Sequence, residues 1–188
     1  MTEKEKCAAG LLYDANYDNE LMNERIACKD LCGEYNQLKN SDSQKRNALI
    51  KKIIGKTEEN ICIEPSFWCD YGYNIEVGEN FYANHNLVIL DCATVKFGDN
   101  VFIGPNCSFY TAGHPLDAKQ RNEGLEYARP ITVGDNVWFG GNVVVLPGVS
   151  IGSNTVIGAG SIVTKDIPDG VVAIGNPCKV VRDIAEEN

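Results

Sequence analysis

Histidine and long apolar runs are scarce in this chain, and acidic residues outnumber basic ones. Of its 188 residues only two are histidine, and 17 Lys and Arg stand against 26 Asp and Glu, which gives a net charge of −9. Nucleic acids and anionic membranes attract basic surfaces, so this balance argues against both as partners. No stretch reaches the about 18 consecutive apolar residues of a membrane span, and the Met-Thr-Glu-Lys-Glu-Lys start lacks the apolar segment of a signal peptide. We therefore expect a soluble, cytoplasmic protein.

Eight cysteines raise the question of disulfides or zinc, and their spacing argues against both. Cys28 and Cys32 lie four residues apart, as two ligands on one helix turn do, but no second close pair or nearby histidine completes a tetrahedral set. We favour buried, reduced thiols that act as small apolar side chains, in keeping with a reducing compartment. No metal is expected.

An apolar residue at every sixth position organises the chain. The series begins at Phe97, Ile103 and Phe109 and continues in phase through Val133, Phe139, Val145, Ile151, Ile157 and Val163. This period fits neither a helix, at about 3.6 residues per turn, nor a strand, at about 2. Most hexads also carry Gly or Asn, which suit a positive φ, and β-branched residues, which suit a short strand. The pattern predicts an internal repeat in which one hexad is one structural unit.

Three hexads are expected to close one triangular coil, and stacked coils to pair as parallel strands about 4.8 Å apart. The repeats from about residue 61 to residue 168 then form a prism on the order of 30 Å long. The predicted fold class is mainly β, a parallel β-helix of hexapeptide repeats with a short N-terminal helical cap. Repeats alone leave a scaffold or binding role open, because a fold does not fix a function.

The first 56 residues contain no hexads and show helical spacing instead. Leu21, Ile26 and Leu31 form one apolar run, and Leu49, Ile50 and Ile53 form another. We expect two or three short helices there, with Ser43 as a possible N-cap. The predicted organisation is a helical cap domain over residues 1–56 and a β-helix domain over residues 57–188. The latter includes a loop at 110–130 and a C-terminal tail.

A polar excursion of about 20 residues, between Phe109 and Ile131, interrupts the repeats, and such insertions are usually functional or disordered. It contains His114, whose neighbours Gly113 and Pro115 restrict the backbone on both sides. The other histidine, His85, follows Asn84 in a polar cluster where a repeat should be aliphatic. His114 is therefore a candidate functional residue, and a solvated loop histidine is the alternative.

Several motifs occur together along nearly the whole chain. They lie in Gly10–Asn36, Phe81–Asn84, Thr111–Pro115, Pro130–Trp138, Ile157–Pro168 and Gly175–Arg182. In content and order they resemble the galactoside and maltose O-acetyltransferases, which are hexapeptide-repeat acyltransferases. The resemblance implies that the β-helix is left-handed, against the usual right-handed crossover preference.

The resemblance further implies direct transfer of an acetyl group from acetyl-CoA to a sugar hydroxyl, without an acyl-enzyme. A hydroxyl is a poor nucleophile at neutral pH, so a base must take its proton. The resemblance assigns that role to His114, help in holding the hydroxyl to Asn84, and the oxyanion-binding backbone N–H to Gly141. Glu126 is expected to orient His114 and raise its basicity, and the alternative is a solvated loop acid.

Two binding regions follow from the same resemblance. The acceptor pocket is expected to use Asp14, Arg25, Asp70, Tyr82, Asn84 and Asp91. Coenzyme A is expected to contact Trp138, Gly141, Ala159, Gly160, Thr164, Lys165, Pro177, Lys179 and Arg182. The alternatives are a helix-surface ion pair for Asp14 and Arg25, and solvated charges for the basic residues near the C-terminus.

Three positions depart from the galactoside type. Gly141, Asp70 and Glu126 stand where that type has Ser, Ser and Met, and at Asp70 and Glu126 the pattern is closer to the maltose or glucose type. A backbone amide tolerates Gly at position 141, so the chemistry is unaffected. The acceptor stays open among maltose, glucose and galactosides.

The family's active unit implies a homotrimer in which His114 of one chain faces residues such as Trp138 of the next. A γ-type carbonic anhydrase has the same prism but requires three zinc-binding histidines, and this chain has two. Two alternatives stay open: an acetyltransferase for serine or an antibiotic, and a noncatalytic prism for assembly or sugar binding.

Overall fold

The structure, a computed structural model, describes residues 1–186. Three helices occupy the start of the chain, namely α1 Glu3–Ala8, α2 Asn19–Gln37 and α3 Ser43–Ile53, and a short strand, β1 Tyr13–Asp14, separates the first two. Asp18 caps α2, because its carboxylate accepts a hydrogen bond from the Leu21 N–H at 2.9 Å. Asp42 rather than Ser43 is the N-cap residue of α3, so Ser43 is the first residue of that helix.

Short strands make up most of the remaining chain. They are β2 Lys56–Thr57, β3 Ile61–Ile63, β4 Phe67–Cys69, β5 Ile75–Val77, β6 Phe81–Ala83, β7 Leu87–Leu90, β8 Val95–Phe97, β9 Phe102–Ile103, β10 Ser108–Tyr110, β11 Ala112–Gly113, β12 Leu125–Ala128, β13 Ile131–Val133, β14 Trp138–Phe139, β15 Val144–Val145, β16 Ser150–Ile151, β17 Val156–Ile157, β18 Ile162–Val163, β19 Val171–Ile174 and β20 Lys179–Asp183. Helix α4, Ala118–Asn122, lies between β11 and β12, and a 3₁₀ helix covers Ile184–Glu186.

These strands stack into three sheets that form the faces of a prism. The first face contains β2, β5, β8, β13 and β16, the second contains β3, β6, β9, β14, β17 and β19, and the third contains β4, β7, β10, β15 and β18. All of these pairings are parallel, and only β20 joins antiparallel, to β19. Successive strands lie on successive faces, so three of them close one coil. The predicted parallel β-helix is confirmed.

The corners of the prism also stack, and we name them by the faces they join. The first edge leads from the first face to the second, the second edge from the second face to the third, and the third edge from the third face to the first. The excursion leaves the prism at the third edge, because it connects β10 on the third face with β13 on the first.

The apolar residue of each hexad points into the prism. Phe81, Phe97, Phe109 and Phe139 form a continuous stack, with ring centroids 5.1, 5.0 and 5.2 Å apart. None of these four rings is more than 2% exposed. Edge-on and tilted contacts at these distances add to the free energy gained by burying the rings.

Asparagines hold the first edge together. Asn80, Asn100, Asn136 and Asn154 each have a φ of 55°, in the left-handed region that Asn tolerates better than most residues. The side-chain amide of each of the first three donates to the carboxamide oxygen of the next, at 3.0, 3.2 and 3.1 Å. The same residues therefore turn the chain and bind neighbouring coils to each other.

The helical segment is fixed to the start of the prism. Helix α2 packs against β4 and α3. The Asn36 amide donates to the Phe67 carbonyl at 3.0 Å and its oxygen accepts the Phe67 N–H at 2.8 Å. Within residues 1–186, none of the helices combines the length and the apolarity that crossing a membrane would require.

Replacing Asn100 separates the two roles of the asparagine ladder. Asn100→Gly removes the ladder bonds but keeps a residue that accepts a positive φ. Asn100→Ala removes the same bonds and adds about 1–2 kcal/mol of backbone strain. We expect the alanine variant to unfold at the lower denaturant concentration, with both variants below wild type. Equal midpoints for the two variants would contradict this role of the corner.

Candidate active site

The excursion is an ordered β-hairpin. Strands β11 and β12 pair antiparallel, with Gly113 opposite Tyr127. Strand β1 from the helical segment pairs with the other side of β12 and places Tyr13 opposite Glu126. This small three-stranded sheet joins the N-terminal segment to the third edge, and its strands position the side chains that flank His114.

Two contacts fix the imidazole of His114. Its Nδ1 lies 3.2 Å from the Leu125 carbonyl oxygen, and its Nε2 lies 3.6 Å from Oε1 of Glu126. A carbonyl oxygen only accepts, so Nδ1 carries the hydrogen in this bond and Nε2 of the neutral ring keeps its lone pair. The His114 side chain is 48% exposed, whereas that of Glu126 is 14% exposed. A half-exposed basic nitrogen therefore lies beside a mostly buried carboxylate.

The Glu126 carboxyl has a second partner. The Tyr13 hydroxyl lies 3.3 Å from its Oε2. Burial raises the pKa of Glu126, while the positive charge of His114 and the hydrogen bond from Tyr13 act in the opposite direction. Tyr13 was not predicted as a member of this group, because its contact with Glu126 depends on pairing between strands more than 100 residues apart.

Arg25, Asp70 and Asp14 also lie near the third edge. Arg25 donates from its guanidinium to the Tyr71 hydroxyl at 2.7 Å and to the Ala15 carbonyl at 2.5 Å. Asp70 lies 3.7 Å from the ammonium group of Lys29. Asp14 accepts the N–H groups of residues 16 and 17, at 3.2 and 2.9 Å. Arg25 therefore pairs with Tyr71 and a carbonyl, and the alternative of an Asp14–Arg25 ion pair is not what the structure contains.

Asp91 lies beside the backbone of Asp70 and Tyr71 and has no exposed surface. Its Oδ1 accepts the backbone N–H groups of Asp70 and Tyr71, at 3.0 and 2.9 Å. Its Oδ2 is buried without a hydrogen-bond partner in the described chain. Burial raises the pKa of Asp91 to about 6. Asp91 was expected to line the acceptor pocket, but in the single chain it is positioned to support the Asp70–Tyr71 turn from beneath.

A different group of expected residues lies along the second edge. Asn84 follows β6, Gly141 follows β14 and Ala159 follows β17, so the three lie at the same edge, with the corner after β9 between Asn84 and Gly141. A hydrogen bond from the Gly160 N–H to the Gly141 carbonyl, at 2.9 Å, links two of these corners. The Gly141 N–H itself has no hydrogen-bond partner within residues 1–186. This edge therefore offers an unoccupied backbone donor.

Aromatic side chains cover the second face beside that edge. Tyr82, Phe102 and Trp138 are in register on β6, β9 and β14. Phe102 is 50% exposed and Trp138 is 57% exposed. Together with Asn84, Ile103 and Gly104 they line an open groove of about 490 Å³. Phe102 was not among the predicted contacts of coenzyme A, although an aromatic residue at an outward position beside the hexad residue Ile103 was a usable signal.

The remaining expected contacts of coenzyme A lie in two places. Thr164 and Lys165 are exposed at the third edge after β18, two coils beyond the excursion. Pro177, Lys179 and Arg182 belong to the hairpin formed by β19 and β20, with Lys179 opposite Ile174 and Arg182 opposite Val172. The single chain thus brings His114 and Glu126 together but holds Asn84 and Gly141 on another edge.

Comparisons with known proteins agree with this architecture. Residues 6–58 match the maltose acetyltransferase hexapeptide capping motif, and residues 130–165 match the bacterial transferase hexapeptide family of six repeats. A putative acetyltransferase of Saccharomyces cerevisiae is 56% identical over 98% of this chain and 94% of its own length. The galactoside O-acetyltransferase of Escherichia coli K12 is 47% identical, over all of this chain and 92% of its own.

Solved structures extend the likeness to three dimensions. A galactoside acetyltransferase in complex with coenzyme A aligns with a TM-score of 0.94 and 48% identity, over 98% of this chain and 92% of that one. A maltose O-acetyltransferase from Clostridium difficile 630 aligns with a TM-score of 0.90 and 48% identity, over 98% of both chains. The solenoid is thus the left-handed β-helix that the resemblance implies. The chain belongs to the hexapeptide-repeat acetyltransferases, in the family of the galactoside and maltose O-acetyltransferases.

Proposed function

We propose that this acetyltransferase moves an acetyl group from acetyl-CoA to a hydroxyl of a sugar of the maltose, glucose or galactoside type, with His114 as the general base. The observation that carries the proposal is the imidazole of His114, held at Nδ1 by a carbonyl with Nε2 beside a carboxylate. The substrate classes rest on relatives named for galactoside and maltose acetylation, one of them solved with coenzyme A.

In the proposed reaction the acceptor hydroxyl attacks the thioester carbon while Nε2 of His114 takes its proton. The tetrahedral intermediate then collapses, the carbon–sulfur bond breaks, and the departing thiolate receives the proton from His114. The products are the acetylated sugar and free coenzyme A. Positioned proton transfer of this kind contributes about 10²- to 10⁴-fold in rate.

Glu126 is proposed to stabilise the imidazolium that forms during the attack. Its carboxylate lies 3.6 Å from Nε2 and its side chain is 14% exposed, so solvent weakens their attraction less than at an open surface. The Tyr13 hydroxyl holds the other carboxylate oxygen and keeps the group in place. We therefore treat Glu126 as a positioning and charge-stabilising residue.

The oxyanion of the tetrahedral intermediate needs a donor that is already in place. We propose the Gly141 N–H, because no group within residues 1–186 uses it as a donor. Loss of an oxyanion donor typically costs about 10²–10³ in kcat. The acceptor hydroxyl is proposed to be held against the base by Asn84, on the same edge.

These roles require the second edge of one chain to meet the third edge of another. His114 and Glu126 lie on the third edge, whereas Asn84 and Gly141 lie on the second, with the width of the third face between them. A head-to-tail contact that pairs unlike edges closes into a ring in C₃ symmetry. We therefore propose a homotrimer with one active centre between each pair of neighbours.

The acceptor pocket is proposed to form around Arg25, Asp70 and Asp14 at the third edge, with Tyr82 contributed by the neighbouring chain. Arg25 and Asp70 are both held by partners, so their donors and acceptors are presented in fixed directions. Asp91 is proposed to support the pocket by anchoring the backbone of residues 70 and 71. Such fixed polar groups suit a ligand rich in hydroxyls.

Coenzyme A is proposed to lie along the groove of the second face. Trp138, Ala159 and Gly160 offer apolar surface to the pantetheine arm. Thr164 and Lys165 are proposed to reach the pyrophosphate, and Lys179 or Arg182 the ribose phosphate, with Pro177 shaping the turn between them. Basic residues suit these phosphates, which carry most of the charge of the ligand.

Replacement of His114 tests the proposed base. We expect His114→Ala to lower kcat/KM for the sugar acceptor by about 10²- to 10⁴-fold, since the hydroxyl proton then has no positioned acceptor. The measurement is thiol release from acetyl-CoA with maltose, glucose, galactosides, serine and chloramphenicol as acceptors. His85→Ala is the matched control and should retain most of the activity.

The same panel separates the alternatives. Turnover with serine or chloramphenicol and none with sugars would contradict a sugar as the acceptor but would leave the proposed role of His114 as the base intact. A His114→Ala variant as active as His85→Ala would contradict the base. Failure of the protein to bind coenzyme A would favour the noncatalytic prism.

Replacement of Glu126 tests its role beside the base. Glu126→Gln keeps an oxygen for the Tyr13 hydroxyl but removes the negative charge that the imidazolium requires. We expect kcat to fall by about 10- to 100-fold, which is the usual loss when a residue that orients a functional side chain is replaced. The KM for acetyl-CoA should change little. The measurement is steady-state kinetics of the Glu126→Gln variant. The matched control is Glu123→Gln, which replaces an exposed acid on the same excursion. Equal losses of kcat in the two variants would contradict the proposed role of Glu126 beside His114.

A further inference from the structure

Three thiols meet between the helical segment and the first coil of the prism. Cys28 and Cys32 lie one turn apart on α2, and Cys69 ends β4, against which α2 packs. The sulfur of Cys69 is 3.5 Å from that of Cys28 and 3.7 Å from that of Cys32. All three sulfurs lie within 4.8 Å of one another. We call this group the three-thiol cluster.

The spacing of these sulfurs matches a metal centre. A thiophilic ion holds its sulfurs at about 2.3 Å, which places them about 3.8 Å apart in a tetrahedral site and about 4.0 Å apart in a trigonal one. The observed separations of 3.5 and 3.7 Å are close to both values. A disulfide needs about 2.05 Å, so two of the sulfurs would have to approach further, and the third thiol would be left unpaired.

Grouping distinguishes these buried thiols from the other cysteines of the described chain. Cys28, Cys32 and Cys69 are 5%, 0% and 2% exposed. Within residues 1–186 this is the one set of three Cys, His, Asp or Glu side chains whose ligand atoms are close enough to hold an ion. Charges of both signs lie nearby, since Lys29, which follows Cys28, forms a salt bridge with Asp70, which follows Cys69.

We propose that Cys28, Cys32 and Cys69 bind a closed-shell thiophilic metal ion that joins helix α2 to strand β4. Binding forms three metal–sulfur bonds and releases the three thiol protons, so affinity rises with pH. Zn²⁺ neutralises two of the three thiolate charges and would take a water as its fourth ligand. Cu⁺ neutralises one charge but is satisfied by three sulfurs. Both ions share the thiolate chemistry that selects for soft metals.

The proposed site is structural and lies outside the transfer chemistry. Arg25 is one turn before Cys28 on α2, and Asp70 directly follows Cys69. An ion at the three-thiol cluster would therefore fix the relative position of the two elements that carry Arg25 and Asp70. Asn36 already joins the C-terminal end of α2 to β4 through two hydrogen bonds with the Phe67 backbone, and the ion would add a second link between this helix and the same strand.

The test measures metal binding directly on the full chain purified without oxygen. Zn²⁺ is titrated against a chromophoric chelator, Cu⁺ is titrated anaerobically against a Cu⁺-specific chelator, and retained metal is counted by mass spectrometry after gel filtration. Cys32→Ser and Cys69→Ser each remove one ligand. Cys107→Ser is the matched control, because Cys107 is a buried thiol of the prism core outside the cluster.

We expect about one bound ion per chain for wild type and Cys107→Ser. In the two cluster variants the metal affinity should fall by more than about 100-fold, because they lose a ligand itself, whereas loss of a residue that only supports a ligand lowers metal affinity by about 10- to 100-fold. The bound ion should also raise the melting temperature of wild type but not of the cluster variants. Preference for Zn²⁺ or for Cu⁺ identifies the ion, and either supports the site. Three results would each overturn the proposal: no retention of either ion by folded wild type, equal retention in folded cluster variants, or a Cys28–Cys69 disulfide in anaerobic protein.

Discussion

The register between stacked coils is the constraint on which the rest of the molecule depends. A buried residue every sixth position commits each coil to the same circumference, so corners fall above corners along the whole prism. Interior rings such as Phe97 and Phe109 set the spacing from within, and Asn100 and its ladder partners set it at the first edge. Side chains far apart in sequence therefore line up on common edges without any loop to position them.

The interruption at the third edge depends on the same register. Because β10 and β13 are held by the prism, the excursion between them has fixed ends and closes as a hairpin. Strand β1 adds to this hairpin and ties the helical segment to it. The helical segment thereby contacts the group around His114, since the Tyr13 hydroxyl holds the Glu126 carboxylate beside it. A change in the helical segment is thus expected to affect His114 through two contacts, from Tyr13 to Glu126 and from Glu126 to His114.

Sequence alone was sufficient for features that depend on local period and residue type. The hexads at Phe97, Phe139 and Ile157 predicted the solenoid because each must bury one apolar side chain, and the break around His114 marked the excursion. Features created by the packing of distant segments were beyond its reach. Cys69 joins Cys28 and Cys32 only because α2 lies on β4, and Tyr13 reaches Glu126 only because β1 adds to a hairpin.

The division of site residues between two edges is the central claim, and subunit mixing tests it most directly. His114→Ala impairs the third edge and Asn84→Ala impairs the second, so each variant alone should be nearly inactive. Co-expressed with different tags and purified as mixed trimers, they should regain about a third of wild-type activity, because one of the three interfaces in each mixed trimer then pairs two intact edges. Activity no higher than that of the two variants measured separately would contradict a catalytic centre shared between chains.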